Sequence, residues 1–255
     1  LELGGEEYKD IGSGDGGLKT GPIHRLIVGE PIGTFYGYVF DGIFQDDAEL
    51  AAGPSGTTDW VGGRRYKDFS GPEDVPDGSV DATYDRQIIG NALPDYTGGM
   101  TNDFSYKGID LSIFVIWSVG NDIANYNAIE GELPSGGQNV YRTLLDRFKV
   151  GSPSDEYPIA TKNRSAVFCD RYVEDGSYLK IKNITLGYNF PFLKAKHIGA
   201  LNVYMTAQNF ITFTNYKGFD PEVSYRGASN LEIGEDFGVY PQAKTILFGV
   251  KIDIQ

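Results

Sequence analysis

The side chains that most often perform chemistry in proteins are scarce in this 255-residue sequence. It has one cysteine, Cys169, and two histidines, His24 and His197. A catalytic triad brings together a nucleophile, a base and an orienting group, and no spacing in the sequence indicates such a set. A single cysteine also excludes an internal disulfide and a cysteine-based zinc site. We therefore expect a non-enzymatic protein with no cofactor, no metal, two solvent-exposed histidines and a buried, inert thiol.

An acidic stretch between residues 68 and 85 contains several carboxylates of the kind that a calcium-binding loop uses. Such a loop needs regularly spaced oxygen ligands within one continuous segment. Pro72 and Val75 interrupt that spacing after Asp68. We therefore expect a solvated acidic loop here and no metal site.

Aromatic and arginine side chains in the segments rich in glycine and proline are the candidates for binding. Flat rings stack on sugar faces or hold a peptide, and guanidinium groups donate hydrogen bonds. The alternative is that the same rings pack the loops against one another or against a partner. The predicted substrate-binding residues are Trp60, Arg64, Tyr66, Tyr141 and Arg142.

The elements that position these side chains are expected to be strands. The sequence contains 17 tyrosines, 15 phenylalanines and 34 glycines, which favour strands and tight turns. The net charge of −13 argues against nucleic-acid binding, which needs a basic surface. The longest uninterrupted apolar run, residues 113–117, is far shorter than the ~20 residues that a membrane-spanning helix needs.

Apolar and polar residues alternate in five segments, which predicts an all-β fold with antiparallel strands. In one segment, Leu111, Ile113, Val115 and Trp117 fall on the same face. In another, the apolar positions change face near Lys182-Asn183, which predicts a β-bulge. The five predicted strands are 95–107, 110–119, 177–190, 200–211 and 243–255.

The links between these strands alternate in length. A tight turn at 107–110 and a short link at 191–199 separate the long links 120–176 and 212–241. Outer-membrane barrels have short periplasmic turns and long extracellular loops, whereas a soluble sandwich rarely carries loops of this length. We therefore expect a transmembrane β-barrel segment with its long loops outside the cell and its C-terminus in the periplasm. The predicted lipid-facing residues are Leu111, Ile113, Val115 and Trp117.

This assignment divides the chain into two predicted parts of one barrel domain. Residues 1–94 are acidic and rich in glycine, and we expect them to form an extracellular loop region with a short β rib at 34–40. Residues 95–255 are expected to hold the C-terminal barrel strands together with their long outer loops.

Several blocks of the sequence resemble signatures of the SusC/RagA family of TonB-dependent outer-membrane transporters. One block contains Gly-Thr-Phe-Tyr-Gly-Tyr-Val-Phe-Asp-Gly-Ile-Phe at 33–44, and another contains Gly-Phe-Asp-Pro-Glu-Val at 218–223. The blocks follow one another in family order, so together they are more specific than any short motif. They lie at 29–45, 85–96, 104–112, 173–188, 218–223 and 240–242.

The resemblance implies that the chain is the C-terminal part of a longer transporter. Family members have a barrel of about 22 strands, closed by an N-terminal plug with a TonB-contacting segment ahead of it. Five strands do not close such a barrel, and an open edge in lipid leaves backbone groups unpaired. We therefore expect the plug, the other strands and the TonB-contacting segment to be supplied by residues outside these 255.

The function implied by the resemblance is nutrient import across the outer membrane of a Gram-negative bacterium. It implies oligosaccharide or oligopeptide substrates, a SusD-like surface lipoprotein as a partner, and coupling to the TonB complex through the N-terminal part of the protein. Membrane lipid is a further expected partner, and nucleic acid is not. The alternative function is a non-enzymatic, surface-exposed β-rich binding or adhesin module.

Overall fold

The computed structural model of the protein describes residues 6–12, 21–56, 58, 60–132, 139–161, 167–190, 198–227 and 229–254. These residues form two compact units. The sheet unit comprises Pro94–Asn121, Asp175–Glu222 and Tyr240–Gln255. The loop unit comprises Leu1–Leu93, Asp122–Glu174 and Val223–Val239.

The described residues are all-β apart from short helices, as predicted. The helices are α1 (Asp47–Ala52), α2 (Tyr126–Gly131) and two 3-10 helices, Arg142–Asp146 and Asp170–Tyr172. The strands are β1 (Tyr8–Ile11), β2 (His24–Ile27), β3 (Thr34–Gly37), β4 (Phe40–Ile43), β5 (Arg64–Tyr66), β6 (Gln87–Asn91), β7 (Tyr96–Tyr106), β8 (Ile109–Val119), β9 (Asp122–Asn125), β10 (Val173–Asp175), β11 (Tyr178–Asn189), β12 (Ile198–Thr214), β13 (Glu235–Asp236) and β14 (Thr245–Ile254).

The sheet unit contains one antiparallel sheet of five strands in the order β14-β12-β11-β8-β7. Each strand corresponds to one of the five alternating segments of the sequence, so the predicted antiparallel fold is confirmed. The strand β12 is longer than predicted, because its end at Thr214 still pairs with Tyr178 of β11. Part of the predicted short link before it, residues 191–197, lies outside the described residues.

The turn between β7 and β8 contains only Lys107 and Gly108. Tyr106 and Ile109 are paired across it, and the φ angles of Lys107 and Gly108 are 48° and 88°. Two consecutive positive φ angles are typical of a two-residue hairpin turn whose twist matches the strands, and glycine adopts them without strain. The predicted tight turn is therefore confirmed and is shorter than the four residues proposed for it.

The predicted β-bulge is present in β11. Ile181 pairs with Val115 of β8, but Asn183 pairs with the next residue along, Phe114, so Lys182 is the extra residue. The pairing of β11 with β12 also shifts at this point, where Ile181 pairs with Ile211 and Asn183 with Gln208. The extra residue keeps the apolar side chains on both sides of the bulge on one face of the sheet.

The loop unit is built from small sheets around an aromatic core. Its strands form a four-stranded sheet (β1-β2-β3-β6), a three-stranded sheet (β10-β9-β13) and the pair β4-β5. The predicted β rib at 34–40 corresponds to β3 and the start of β4. The buried core includes Phe35, Tyr66, Ile129, Phe168 and Tyr172.

The two units do not follow the predicted division at residue 94, because the long links 122–174 and 223–239 fold with residues 1–93. The predicted boundary at residue 94 separates an extracellular loop region from the barrel strands, and this division remains a prediction. Among the described residues, none of the helices has both the length and the apolar character needed to cross a bilayer.

Candidate functional site

One face of the five-stranded sheet is apolar and open to its surroundings. A single row of paired residues crosses all five strands, and every member of it is apolar. Its outermost members, Phe104 and Phe248, are 59% and 79% exposed. Soluble monomers rarely expose a contiguous apolar surface of this kind. The row consists of Phe104, Leu111, Leu186, Met205 and Phe248.

The four predicted lipid-facing residues lie on this apolar face. Leu111, Ile113, Val115 and Trp117 are alternate residues of β8, and alternate residues of a strand share a face. The indole of Trp117 packs over Gly98 of β7, where a side chain on Gly98 would overlap it. Contact of these residues with lipid remains a prediction, but their shared face is the one that the alternation predicts.

The opposite face, which we call the polar face, carries hydroxyl, amide and carboxylate groups beside a few apolar side chains such as Phe114 and Ile116. The hydroxyls of Thr185 and Thr206 share a hydrogen bond of 2.9 Å between β11 and β12. Asp110 accepts hydrogen bonds from Ser105 and Asn189. A cleft of about 460 Å³ opens on this side, and its hydroxyl, amide and carboxylate groups suit a hydrated polar solute. Its polar lining includes Asp103, Ser105, Asp110, Ser112, Thr185 and Asn202.

A cluster of four charged side chains, which we call the clamp, lies on the polar side of β11. Lys180 is 1% exposed, and its Nζ donates to Oδ1 of Asp220 at 2.7 Å and to Glu222. Lys182 donates to both carboxylate oxygens of Glu222, at 2.8 and 3.1 Å. Two cations thus meet two anions, which satisfies the requirement that buried charges be paired.

The two carboxylates of the clamp are held in their ionised form. Burial by itself raises the pKa of Asp220, but the hydrogen bonds from Lys180 and from two backbone amides outweigh it and lower that pKa. Burial likewise raises the pKa of Glu222, and its bonds to Lys180 and Lys182 lower it overall. Asp220 and Glu222 follow β12 in the chain, so these contacts fix the residues after β12 to β11.

The loop unit contains its own buried charged network, centred on Glu132. This carboxylate accepts from Arg171 at 3.1 Å, from the hydroxyl of Tyr172 at 3.2 Å and from Arg64 at 3.5 Å. Glu132 directly follows α2, and its partners come from β5 and from the 3-10 helix Asp170–Tyr172. The network therefore joins three distant parts of the sequence inside the unit.

The five predicted substrate-binding residues occupy different environments. Arg64 and Tyr66 are 4% and 2% exposed, and both belong to the interior of the loop unit. Their burial does not support direct contact with a substrate. Tyr141 and Arg142 are exposed, and Trp60 is half-buried. The sequence alone could not distinguish the buried residues from the exposed ones, because these segments have no long alternating pattern from which burial can be predicted.

One prediction about the titratable side chains is wrong and one is confirmed. His24 was predicted to be exposed, but it is buried against Phe35 and its Nε2 lies 3.2 Å from Oε1 of Glu235. Its partner lies 211 residues away, so local sequence gave no sign of the pair. Cys169 is fully buried, and burial raises the pKa of its thiol to about 12, as expected of an inert cysteine. His197 lies outside the described residues.

Carboxylates of the acidic stretch 68–85 bind backbone amides. Asp85 is fully buried and accepts from the amides of Phe69 and Asp81 at 2.7 and 2.8 Å. Asp68 accepts from the amide of Gly78 at 2.7 Å. Within the described part of the chain, no group of three or more histidine, cysteine, aspartate or glutamate side chains is arranged to hold a metal ion.

The sequence analysis missed the clamp, although both of its halves lie in blocks that resemble the family. Lys180 is almost fully buried, and lysines are rarely buried without a carboxylate partner. The Asp-Pro-Glu turn at 220–222 was the available partner. The sequence therefore contained both charges of the pair, but they lie 40 residues apart, and only the register of the strands brings them together.

Curated relatives with significant sequence similarity are named TonB-dependent receptors. TonB-dependent receptor P3 of Formosa agariphila is 37% identical over 232 residues, which cover 88% of this chain and 22% of that protein. TonB-dependent receptor SusC of Bacteroides thetaiotaomicron is 28% identical over 181 residues, covering 69% of this chain and 16% of that protein. The chain thus spans less than a quarter of the length of these two relatives. No family model matches it.

Solved structures share the fold. A structure of the RagAB peptide transporter superposes with a TM-score of 0.74 at 23% identity and covers 97% of this chain and 25% of the matched chain. The RagAB peptide importer in its open-open state gives a TM-score of 0.72 over 99% of this chain. Together with the curated relatives, these matches confirm the resemblance predicted from the sequence blocks.

Proposed function

We propose that this chain, a homologue of part of the TonB-dependent receptors, forms a section of the barrel wall of an outer-membrane nutrient importer together with its outer loops. The observation that carries the proposal is the two-sided sheet. Its apolar face is suited to lipid and its polar face to the water-filled interior of a barrel. A soluble binding module would need to cover the apolar face.

The two outer strands of the sheet support assembly with further strands. In the order β14-β12-β11-β8-β7, the strands β14 and β7 each have one neighbour within the sheet. A strand in lipid needs neighbours on both sides, since backbone groups find no water there. We propose that the remaining strands and the plug of the same transporter complete the barrel. The TonB complex would engage a segment outside these 255 residues.

The long links are proposed to lie outside the cell and the C-terminus in the periplasm. This orientation follows from the alternation of short and long links. The exposed positions of Tyr141 and Arg142 keep them as candidate contacts for a substrate or for a SusD-like surface lipoprotein, and the half-buried Trp60 is a weaker candidate. Arg64 and Tyr66 are proposed to support the loops from within. The proposed lipid contacts are Leu111, Ile113, Val115 and Trp117.

The proposed substrates are oligosaccharides or oligopeptides. The solved structures with this fold include one described as a peptide importer, which supports the peptide class. The name of the relative SusC does not indicate a substrate class. The polar face of the sheet suits either class, because hydroxyl, amide and carboxylate groups bind sugar hydroxyls and peptide groups alike.

Uptake by the full-length transporter tests this function. Cells that express the complete gene receive radiolabelled maltoheptaose or radiolabelled tryptic peptides of casein, with and without an uncoupler of the proton gradient. We expect the cells to accumulate one of the two probes, and we expect the uncoupler or deletion of the gene to abolish that uptake. Equal uptake with and without the gene would contradict import. A folded, monodisperse product from the isolated 255 residues in detergent-free buffer would contradict the membrane assignment.

A further inference from the structure

We propose that Phe219 is a preorganised solute-contacting residue, and that Lys180 and Lys182 are the positioning residues that hold it through the clamp. The proposal rests on the proposed import function and adds a specific contact to it. The ligand surface that Phe219 would meet is flat and rich in C–H groups, such as one side of a sugar ring or an apolar peptide side chain.

The exposure of Phe219 contrasts with that of the residues that follow it. Phe219 is 79% exposed, whereas Asp220 is 7% exposed and Pro221 is buried. The ring of Phe219 therefore contributes little to packing within the described residues, and its surface is open to contact. What distinguishes Phe219 from other exposed rings is the restraint of the backbone on both sides of it.

Asp220 fixes the backbone directly after Phe219. Its Oδ1 receives Lys180 at 2.7 Å and the amide of Glu222 at 3.0 Å, and its Oδ2 receives the amide of Gln242 at 3.1 Å. One carboxylate thus ties together β11, the residues after β12 and the residues before β14. Such a buried, multiply bonded carboxylate allows little movement of the turn.

The residues before Phe219 are held as well. Tyr216 is 5% exposed, and its ring packs directly over Gly218, where a side chain would overlap it. The amide of Tyr216 donates to the hydroxyl of Thr214 at 3.1 Å. The backbone is therefore restrained on both sides of an exposed ring.

A restrained ring binds more tightly than a mobile one, because the ordering cost has been met in the folded protein. Aromatic rings offer a large, rigid contact surface at low conformational cost. The anchor of this turn is Lys180, which lies on the polar side of the sheet. Under the proposed function that side faces the interior through which the solute passes.

Binding by the purified full-length transporter in detergent tests the proposal. The probes are maltoheptaose and tryptic peptides of casein, measured separately by calorimetry, so that the two sources of a C–H-rich surface are distinguished. Phe219→Ala should weaken the probe that the wild type binds by about three- to tenfold. Phe219→Tyr should restore the affinity. Tyr240→Ala is the matched control, since Tyr240 is 89% exposed in the same unit, and it should leave the affinity unchanged.

A double-mutant cycle tests the positioning role. Lys180→Met should weaken the same probe and increase hydrogen exchange at residues 218–222, and it should have no further effect on affinity when Phe219→Ala is already present. Lys251→Met, an exposed lysine of β14, is the control for the loss of a positive charge in the sheet unit. Should Lys180→Met fail to assemble, Glu222→Gln replaces it, because this variant removes the charge that binds both lysines and leaves the buried Lys180 paired with Asp220. It should weaken the same probe less than Lys180→Met, and again only when Phe219 is present.

The outcomes separate the inference from the proposed function. If the wild type binds one probe and Phe219→Ala binds it equally well, the contact role of Phe219 is wrong while import stands. If Lys180→Met weakens binding independently of Phe219→Ala, the positioning role is wrong. If the wild type binds neither probe, the proposed substrate classes and the inference both fail.

Discussion

The loop unit and the sheet unit place apolar and charged side chains in opposite ways. The loop unit buries rings such as Phe35 and Tyr172 around a network of paired charges. The sheet unit leaves Phe213 and Phe248 open on one face and keeps its hydroxyls and carboxylates on the other. The loop unit therefore has an apolar interior, as soluble domains do, whereas the sheet unit has an exposed apolar face.

The difference shows that the average composition of the chain does not reveal that its two units suit different environments. Apolar residues make up 40% of the sequence, a value typical of a soluble domain. In the loop unit these residues stabilise a core by leaving water. In the sheet unit they gain little from folding in water, and the proposed lipid face gives them a suitable environment. Removing a buried charge should therefore destabilise the loop unit, whereas adding a charge to the apolar face should destabilise the sheet unit.

The largest effect is expected in the interior of the loop unit. Glu132→Ala leaves the buried Arg64 without its carboxylate and removes the nearer carboxylate of the half-buried Arg171, and breaking a buried pair in this way costs about 3–5 kcal/mol. Hydrogen exchange of the Tyr172 amide, which donates to Cys169 at 3.0 Å, measures the loss in the full-length transporter. Glu156→Ala is the control, because Glu156 is largely exposed and pairs with Arg171 at 3.7 Å. Equal exchange in both variants would show that the network is not structural.

The apolar face of the sheet gives the next largest effect. Val115→Lys should destabilise the assembled barrel by about 2–4 kcal/mol if residue 115 lies near the middle of the membrane. Thr101→Lys is the matched control, since Thr101 is exposed on the polar face of β7 and directly follows Met100, which pairs with Val115. Heat-modified mobility of the full-length transporter on gels measures assembly. Normal assembly of Val115→Lys would overturn the lipid-facing assignment.

Two adjacent glycines of β7 test the packing of the two faces more finely. A side chain at Gly98 would overlap the indole of Trp117, whereas at Gly99 the nearest atom is 3.4 Å away on Phe114. Gly98→Ala should displace the indole and cost about 1 kcal/mol after the usual gain from replacing a strand glycine. Gly99→Ala should be neutral or slightly stabilising. Tryptophan fluorescence and thermal unfolding distinguish them, and identical behaviour would mean that Trp117 does not rest on Gly98.

The sheet was predictable from the sequence because strand alternation is a local signal. The bulge at Lys182 was indicated by a change in the phase of the apolar positions. The turn at Lys107-Gly108 was indicated by a glycine after a polar residue. The loop unit gave no such local signal apart from the β rib at 34–40. Its strands are as short as three residues, and its pairs, such as His24 with Glu235, join distant segments.

The candidate site was only partly predictable for the same reason. Residue type identified Arg64 and Tyr66 as able to bind, but burial in the folded unit decides whether they are free to do so. The clamp escaped notice because an ion pair is a property of two positions, and register is needed to bring Lys180 to Asp220. For these residues, neither the exposure of the side chain nor its ion-pair partner could be predicted from the sequence pattern.

The smallest effect concerns the pH dependence of the clamp, in which Lys180 and Asp220 are buried and Glu222 is partly accessible. The pKa values of Asp220 and Glu222 are lowered in the folded protein, so the clamp is fully stabilising above the usual carboxyl range and is weakened as the pH falls through the lowered values. Hydrogen exchange at residues 218–222, corrected for the intrinsic rate, should therefore increase below about pH 4, while exchange in the hairpin of β7 and β8 stays constant. Glu222→Gln should show faster exchange already at neutral pH and a smaller change on acidification, because one of the two titrating carboxylates has been removed. If acid loosens the hairpin and the clamp to the same extent, the loss is global and the clamp has no separate role.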